Sequence, residues 1–285
     1  MKKPEEIYRN RIQNEKPKLV FELMSDIHQM SPWKDKTLRN AFNDIMDRNQ
    51  RYVFLLGDLT NNAYGFQFRS FFSQLNPYGF HHLIALGNHD TFHPNHDEAL
   101  HIHPSLRRYV YREQVYYKEI IEDCSFYVLN TQKPQENNMY LEKDQLTWLD
   151  TELKKDTSQW KFILCHHPLA DTHPGSEERG NHVGYQNGQL ESILKHHHVM
   201  YLSGHLHNSY SHTAMCQKHD ILCINTPSFH SIKRGIRKDQ VGLEISIYSD
   251  FLYGRFRDYK EHRYLDSVAY IYEWKKQHLI VLHPC

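Results

Sequence analysis

No run of about 18 apolar residues occurs anywhere in the 285-residue sequence, so nothing in it reads as a membrane-spanning helix. The first twenty residues, "MKKPEEIYRNRIQNEKPKLV", are charged and lack the apolar stretch a secretory leader needs, which makes the cytoplasm the expected compartment. Charge of one sign is missing too. Lys plus Arg and Asp plus Glu number 34 each, which removes the electrostatic case for nucleic acid as the main partner, although a local basic patch stays possible. The five cysteines are odd in number and none stand as CxxC, excluding a disulfide framework and a thiolate zinc site. Cys124 and Cys165 fall in apolar runs, while Cys216 and Cys223 flank an expected hairpin and could face one another as free thiols. No linker rich in Pro, Gly and Ser divides the chain. The expectation is one domain over 1–285, with a core at about 18–250 and a C-terminal strand or arm over 251–285.

What the sequence has in excess is histidine, 23 residues, beside 13% aromatics. The aromatics mark a folded chain, and the histidines point toward metal. "KLVFELM", "RYVFLLG" and "HHLIALG" read as strands, separated by the helical patterns "DKTLRNAFNDIMDR" and "GFQFRSFFSQL". That βαβαβ order predicts a parallel sheet covered by helices. Further on, "VYYKEII" and "SFYVLNT" predict a strand pair, "EKDQLTWLDTELKKD" a helix, "WKFILC" a strand, "QNGQLESILKH" a helix and "HVMYLSG" a strand. The tail holds short β-like segments without helices between them, "YSHTAMC", "DILCINT", "GLEISIYS" and "FLYGRFRDY", which predict a second, mostly antiparallel sheet.

Chemistry-bearing side chains recur where predicted strands end. Asp26 and His28 follow the first, Asp58 the second, Asn88, His89 and Asp90 the third, His166 another, and His205 and His207 yet another. In α/β sheets ligands bind outside the carboxyl ends of the strands, so these groups are expected to meet in one crevice. Carboxylates, imidazoles and an amide, with no thiolate, suit divalent ions such as Mn²⁺, Fe²⁺ or Zn²⁺.

The blocks "DIH", "GDL", "GNHD", the histidine of "HHP", and "GHLH", in that order between about Val20 and Asn208, resemble the calcineurin-like metallophosphoesterase superfamily. "VYYKEIIEDCSFYVLNT" followed by "YLEKDQLTWLDTEL" is similar to its cyclic-nucleotide-phosphodiesterase-like branch. The resemblance implies an α/β fold of two packed mixed β-sheets flanked by helices, in four αββα layers. It also implies two divalent metal ions (Mn²⁺, Fe²⁺/Fe³⁺ or Zn²⁺) and hydrolysis of a small phosphoester, first among the candidates a cyclic or small nucleotide-like diester. Asp26, His28 and His207 would hold one ion and Asn88, His166 and His205 the other, with Asp58 bridging and a bridging hydroxide attacking phosphorus. His89 would assist the leaving oxygen while Asp90 orients the His89 ring. A phosphomonoesterase, a nuclease, a phospholipid-headgroup hydrolase and a non-catalytic scaffold are the alternatives, and the completeness of the set favours an enzyme.

The remaining histidines carry weaker expectations. His93, His96, His101 and His103 suggest a loop near the site, and Arg107 and Arg108 solvated surface. His167 reads as a neighbour of a ligand, His173 and His182 as candidates for the cleft wall, and His196 to His198 as edge packing. "YGRFRDY" reads as a sheet edge with solvated arginines.

Overall fold

A computed structural model describes residues 4–91, 106, 107, 109, 115–131, 139–230 and 240–282. His93, His96, His101, His103 and Arg108 lie outside the described residues. Among the described residues the strands form two sheets. The first half supplies β1 (Leu19–Met24), β2 (Tyr52–Leu56) and β3 (His81–Ala85), with α2 (Lys36–Asp47) and α3 (Gly65–Leu75) as crossovers after an N-terminal α1 (Pro4–Asn14). The middle supplies β4 (Tyr117–Ile121), β5 (Cys124–Val128), α4 (Lys143–Lys155), β6 (Trp160–Leu164), α5 (Asn187–Leu194) and β7 (Met200–Ser203). The tail is all strand: β8 (Met215–Lys218), β9 (Ile221–Asn225), β10 (Val241–Ile247), β11 (Phe251–Asp258), β12 (Arg263–Glu273) and β13 (His278–Leu282). The strand orders are β13-β12-β11-β10-β1-β2-β3 and β4-β5-β6-β7-β9-β8.

Period-two alternation explains why the sheets stack. Leu19, Phe21 and Leu23 point between the sheets with Phe54 and Leu56, opposite Phe126, Phe162 and Leu164 of the second sheet. The intervening Val53, Leu55 and Ile84 face outward and are covered by Leu38, Phe42, Ile45, Phe68 and Phe72 of α2 and α3. On the far side α4 and α5 cover Tyr127, Ile163 and Tyr201. Buried on both faces, such strands read as continuous apolar runs, and four αββα layers result. An aromatic nucleus joins the sheets: Phe21 lies 4.8 Å from Phe54 and 5.4 Å from Phe162, and Phe126 stacks on Phe162 at 5.0 Å. Trp160→Ala or Phe162→Ala changes would open a cavity in this layer.

The tail departs from the expectation of a separate antiparallel sheet. β8 and β9 extend the second sheet, β9 running parallel to β7, whereas β10 pairs antiparallel with β1 and carries β11 to β13 outward from the first. The reason is the free edges of β1 and β7, which each need a partner for their backbone groups. The segment beyond Phe251 is hydrogen-bonded into the first sheet, and α1 packs on it through Tyr8, against Phe251, Ile271 and Leu282. Arg11 pairs with Asp250 at 2.7 Å. "YGRFRDY" is likewise no solvated edge: Arg255 pairs with Glu244 at 2.7 Å, and Arg257 is buried on Asp44.

The β1–β10 register sets two buried acids opposite each other, Glu22 and Glu244, both bonded to Arg48 at 2.6 Å. Burial, with the nearby Glu244 charge, outweighs Arg48 and raises Glu22 from 4.5 to about 7. Folding therefore favours the protonated acid, and as pH rises from 4.5 to about 7 the unfolded chain gives up its proton first. Stability from this group is complete below pH 4.5 and is lost through that interval, by up to about 3 kcal/mol at 1.36 kcal/mol per unit. Glu22→Gln should remove the dependence. Urea unfolding of both proteins at pH 5 and pH 8 is expected to show the variant gaining relative to wild type at the higher pH; an equal difference at both would refute the assignment.

Candidate metal centre

The carboxyl ends of β1, β2, β3, β6 and β7 point to one edge shared by the two sheets, and two residues past the ends of β1, β2 and β7 the chain turns sharply. Asp26, His28, Asp58, His205 and His207 all have left-handed backbones, φ between 49° and 69°. For residues with a β-carbon that region costs about 1–2 kcal/mol each, so the surroundings must hold the turns in place. They do so by lacing the loops together. Asp26 N–H donates to Gly57 O (3.1 Å), His28 N–H to Asp58 O (2.9 Å), Gln29 N–H to Leu59 O (2.9 Å) and Gly204 N–H to His166 O (2.9 Å). The approach is so close that a β-carbon on Gly87 would collide with the Asp58 carboxylate, and one on Gly204 with Ser25. The glycines of "GNHD" and "GHLH" are thus required by contact between loops.

Each carboxylate uses one oxygen to bind a neighbouring loop and turns the other inward. Asp26 Oδ2 accepts from His205 N–H (3.1 Å) and Asp58 Oδ1 from His89 N–H (2.9 Å). Asp26 Oδ1 and Asp58 Oδ2 are buried with no hydrogen-bond partner in the protein, as is His28 Nδ1. The imidazoles are oriented in the same way. His166 Nδ1–H donates to Leu56 O (2.6 Å) and His205 Nε2–H to Gly180 O (3.0 Å), which turns the lone pairs of His166 Nε2 and His205 Nδ1 toward each other at 3.2 Å.

Around Asp58 Oδ2 two sets of donors gather. On one side His28 Nε2 is 3.7 Å from that oxygen and 3.1 Å from His207 Nε2, which lies 3.2 Å from Asp26 Oδ1. On the other, His166 Nε2 is 3.4 Å from it and 3.2 Å from Asn88 Oδ1. Lone pairs this close need a cation between them. Donors bound at about 2.0–2.2 Å around one ion stand about 3.0–3.4 Å apart, the spacing seen here. The residues therefore fit two divalent ions sharing Asp58. Protons can partly substitute: although burial opposes it, Asp58 and Asp26 raise His166 to about 9. Burial likewise opposes ionisation of the two aspartates, yet His207 next to Asp26 and His166 next to Asp58 hold both carboxyls well below their usual range. Burial lowers His28 and His205 to about 4, keeping them as neutral donors.

Two sequence expectations change here. Asp90 does not hold the His89 ring. Its carboxylate is fully buried and accepts from the backbone N–H groups of Gly87 (3.1 Å), Leu59 (3.2 Å) and Thr60 (3.0 Å), clamping the β2 and β3 loops together. The ring is held instead by a backbone carbonyl, Asn61 O, which accepts from His89 Nδ1–H at 2.7 Å. His167 is closer to the centre than a mere neighbour: its ring nitrogens group with those of His166 and His205, and its Nδ1 meets Thr131 Oγ1 at 2.7 Å. His173 packs beside Cys216, with His182 Nδ1–H on Val183 O. His198 meets Gln277 at the surface.

His230 was missed by sequence. It follows β9, the sixth strand to end at this edge, and its N–H donates to Asp26 O (3.1 Å) while Nε2 meets Asp35 Oδ2 (3.2 Å). "INTPSFH" carries no motif, and the parallel pairing of β9 with β7 is invisible in a tail that reads as antiparallel hairpins. The carbonyls of Leu56, Asn61 and Gly180 have no side-chain signature at all.

The chain belongs to the calcineurin-like phosphoesterase family, whose sequence profile matches residues 21–209. It is an enzyme of the metal-dependent phosphoesterase class, with the histidine and aspartate cluster that such activity requires. Among solved structures it is similar to PhoD, at 14% identity and a TM-score of 0.65, covering 94% of this chain and 72% of that one. It is similar also to GAP50, the anchor in the inner membrane complex of Plasmodium (13%, 0.61, 95% and 90%). A third is the purple acid phosphatase PPD1 from yellow lupin seeds (14%, 0.59, 87%), of which it spans 52%. At these identities the likeness is one of fold. No curated protein matches the sequence. Among the described residues no helix is long and apolar enough to cross a membrane.

Removing the shared carboxylate should be felt twice. Asp58→Ala is expected to abolish stoichiometric binding of both Mn²⁺ ions, and His28→Ala to weaken one while sparing the other, as read by calorimetry and elemental analysis. Gly87→Ala, which touches no ion, should weaken both by about 10–100-fold through its push on Asp58. Two ions bound normally by Asp58→Ala would overturn the shared-ligand geometry.

Proposed function

We propose that the protein hydrolyses phosphodiesters of the cyclic or small nucleotide-like kind, with Asp26, His28 and His207 holding one divalent ion, Asn88, His166 and His205 the other, and Asp58 both. When bound, such ions supply positive charge for the phosphate oxygens and make water acidic enough to serve as a nucleophile near neutral pH. The protein's own part is to fix the phosphorus between this centre and His89.

The observation that carries the reading is the placement of His89. Its ring stands edge-on to His28 with centroids 4.7 Å apart, beside the donors but facing its own anchor, Asn61 O. An imidazole whose Nδ1 is anchored beside such donors is oriented in the way that proton donation to a leaving oxygen requires. What supports the diesterase branch is the sequence resemblance of the segment that forms the β4–β5 hairpin and α4. There Gln145 closes on Asn130 through two bonds, donating to its carbonyl (2.9 Å) and accepting from its N–H (2.7 Å). A scaffold without turnover would have no use for His89.

His89→Asn should keep both ions and near-normal substrate affinity while lowering turnover by roughly 10²–10⁴-fold on alkyl esters. The loss should be smaller on p-nitrophenyl esters, whose leaving group needs little protonation. Wild type and variant are to be compared on both classes at equal metal content. Equal losses would remove the general-acid role, and loss of an ion would make His89 a ligand. No hydrolysis of bis-p-nitrophenyl phosphate or p-nitrophenyl phosphate by the Mn²⁺-loaded wild type would favour the scaffold.

A further inference from the structure

Beside His28 lies a cleft of about 340 Å³ that no part of the metal centre explains. Its walls are the loop after β1 and His230, and its apolar surface comes from Met30 and Trp33. These two side chains are 67% and 79% exposed. Single exposed apolar residues are ordinary on a surface and mean nothing by themselves. Here they sit on a loop whose backbone is fixed from below by buried amides and hydroxyls. Gln29 Nε2 donates to Ser31 O (2.7 Å) and Trp33 O (3.1 Å), Ser70 Oγ–H also donates to Trp33 O (3.1 Å), and Gln67 Nε2 donates to Met30 O (3.2 Å). Asp35 closes the segment by capping α2, its Oδ1 accepting from Thr37 N–H at 2.8 Å. The polar groups are spent inside on the backbone and the indole stands outside, the reverse of what packing alone would produce. A fixed backbone beneath a presented side chain is what a binding site requires.

The position of the cleft decides what enters it. His28 is both a wall of the cleft and a donor of the centre, and His89 stands edge-on against the same ring. The opposite wall is tied to the centre through the His230 N–H bond to Asp26 O and the His230–Asp35 contact. A phosphoester bound at the metal donors, with its leaving oxygen at His89, would have its alcohol portion beside His28, the residue that the cleft shares with the donors. We infer that this cleft is the leaving-group subsite, and that it selects esters whose alcohol carries a planar aromatic ring, stacked on Trp33 beside the Lys34 ammonium. The inference rests on the proposed dinuclear centre and adds the class of alcohol.

Two phosphonates whose P–C bond resists hydrolysis test it: 2-phenylethylphosphonate, with a ring, and n-hexylphosphonate, with an apolar chain of comparable reach. Both are titrated calorimetrically into Mn²⁺-loaded protein. Aromatic stacking is worth about 1–3 kcal/mol, so the ring compound should bind about 5–150-fold tighter. Trp33→Ala should bring the ratio close to one, and Trp33→Phe should keep most of it, with metal content unchanged in both. Equal binding of the two by wild type, or a preference that survives Trp33→Ala, would overturn the subsite and leave the phosphoesterase centre standing. Binding of neither compound, nor of inorganic phosphate, by protein holding two ions would overturn both.

Discussion

Asp26 and Asp58 are both fully buried, and each presents one oxygen to a point where no protein hydrogen reaches it. Burying an ionised carboxylate without compensation is among the most unfavourable things a fold can do. The geometry around the two is best understood as the compensation. Four imidazoles and an amide oxygen converge with them, the backbone amides of His205 and His89 take the second oxygens, and the two cations that fit between the remaining lone pairs would complete the balance. The left-handed turns at five of the seven donors follow from this demand, because only a chain that turns back at once can aim two residues of one loop inward.

The layered fold is what makes the convergence possible. Two sheets packed face to face bring the carboxyl ends of parallel strands from both to one edge, so donors more than a hundred residues apart in the chain come within hydrogen-bonding distance. The bonds between loops are backbone bonds joined by the carboxylates of Asp26, Asp58 and Asp90, which accept from backbone N–H groups of neighbouring loops. Asp90 and the glycines serve that lacing, and His89 is set by it through Asn61.

Around this centre the molecule distinguishes fixed from presented groups. Charges away from the edge are consumed internally: Arg48, Arg255 and Arg257 are matched to Glu22, Glu244 and Asp44 beneath α2 and across β10 to β12. At the edge, Met30 and Trp33 stand out in solvent on a loop with a satisfied backbone. The buried ion pairs and the presented groups are thus different residues in different parts of the layered fold.

The helices and strands between residues 19 and 205 were legible because buried strands and amphipathic helices have different periods, and α3 falls on the eleven residues expected, whereas α1, in a charged N-terminal stretch, was not among the elements expected. The donors were legible because metal chemistry restricts residue type, and short blocks at strand ends keep their spacing wherever the strands go. Sequence could not give the partners of the tail strands. Edge pairing is decided by which backbone groups are left open after the rest has folded, so β10 joined β1 and β9 joined β7, bringing His230 to the site with no motif to announce it. Nor could it give the anchor of His89, since the choice between Asp90 and the Asn61 carbonyl depends on which way a loop turns in space. Residue chemistry along the chain determined the reaction centre; contacts between distant backbone segments decided how each of its groups is aimed.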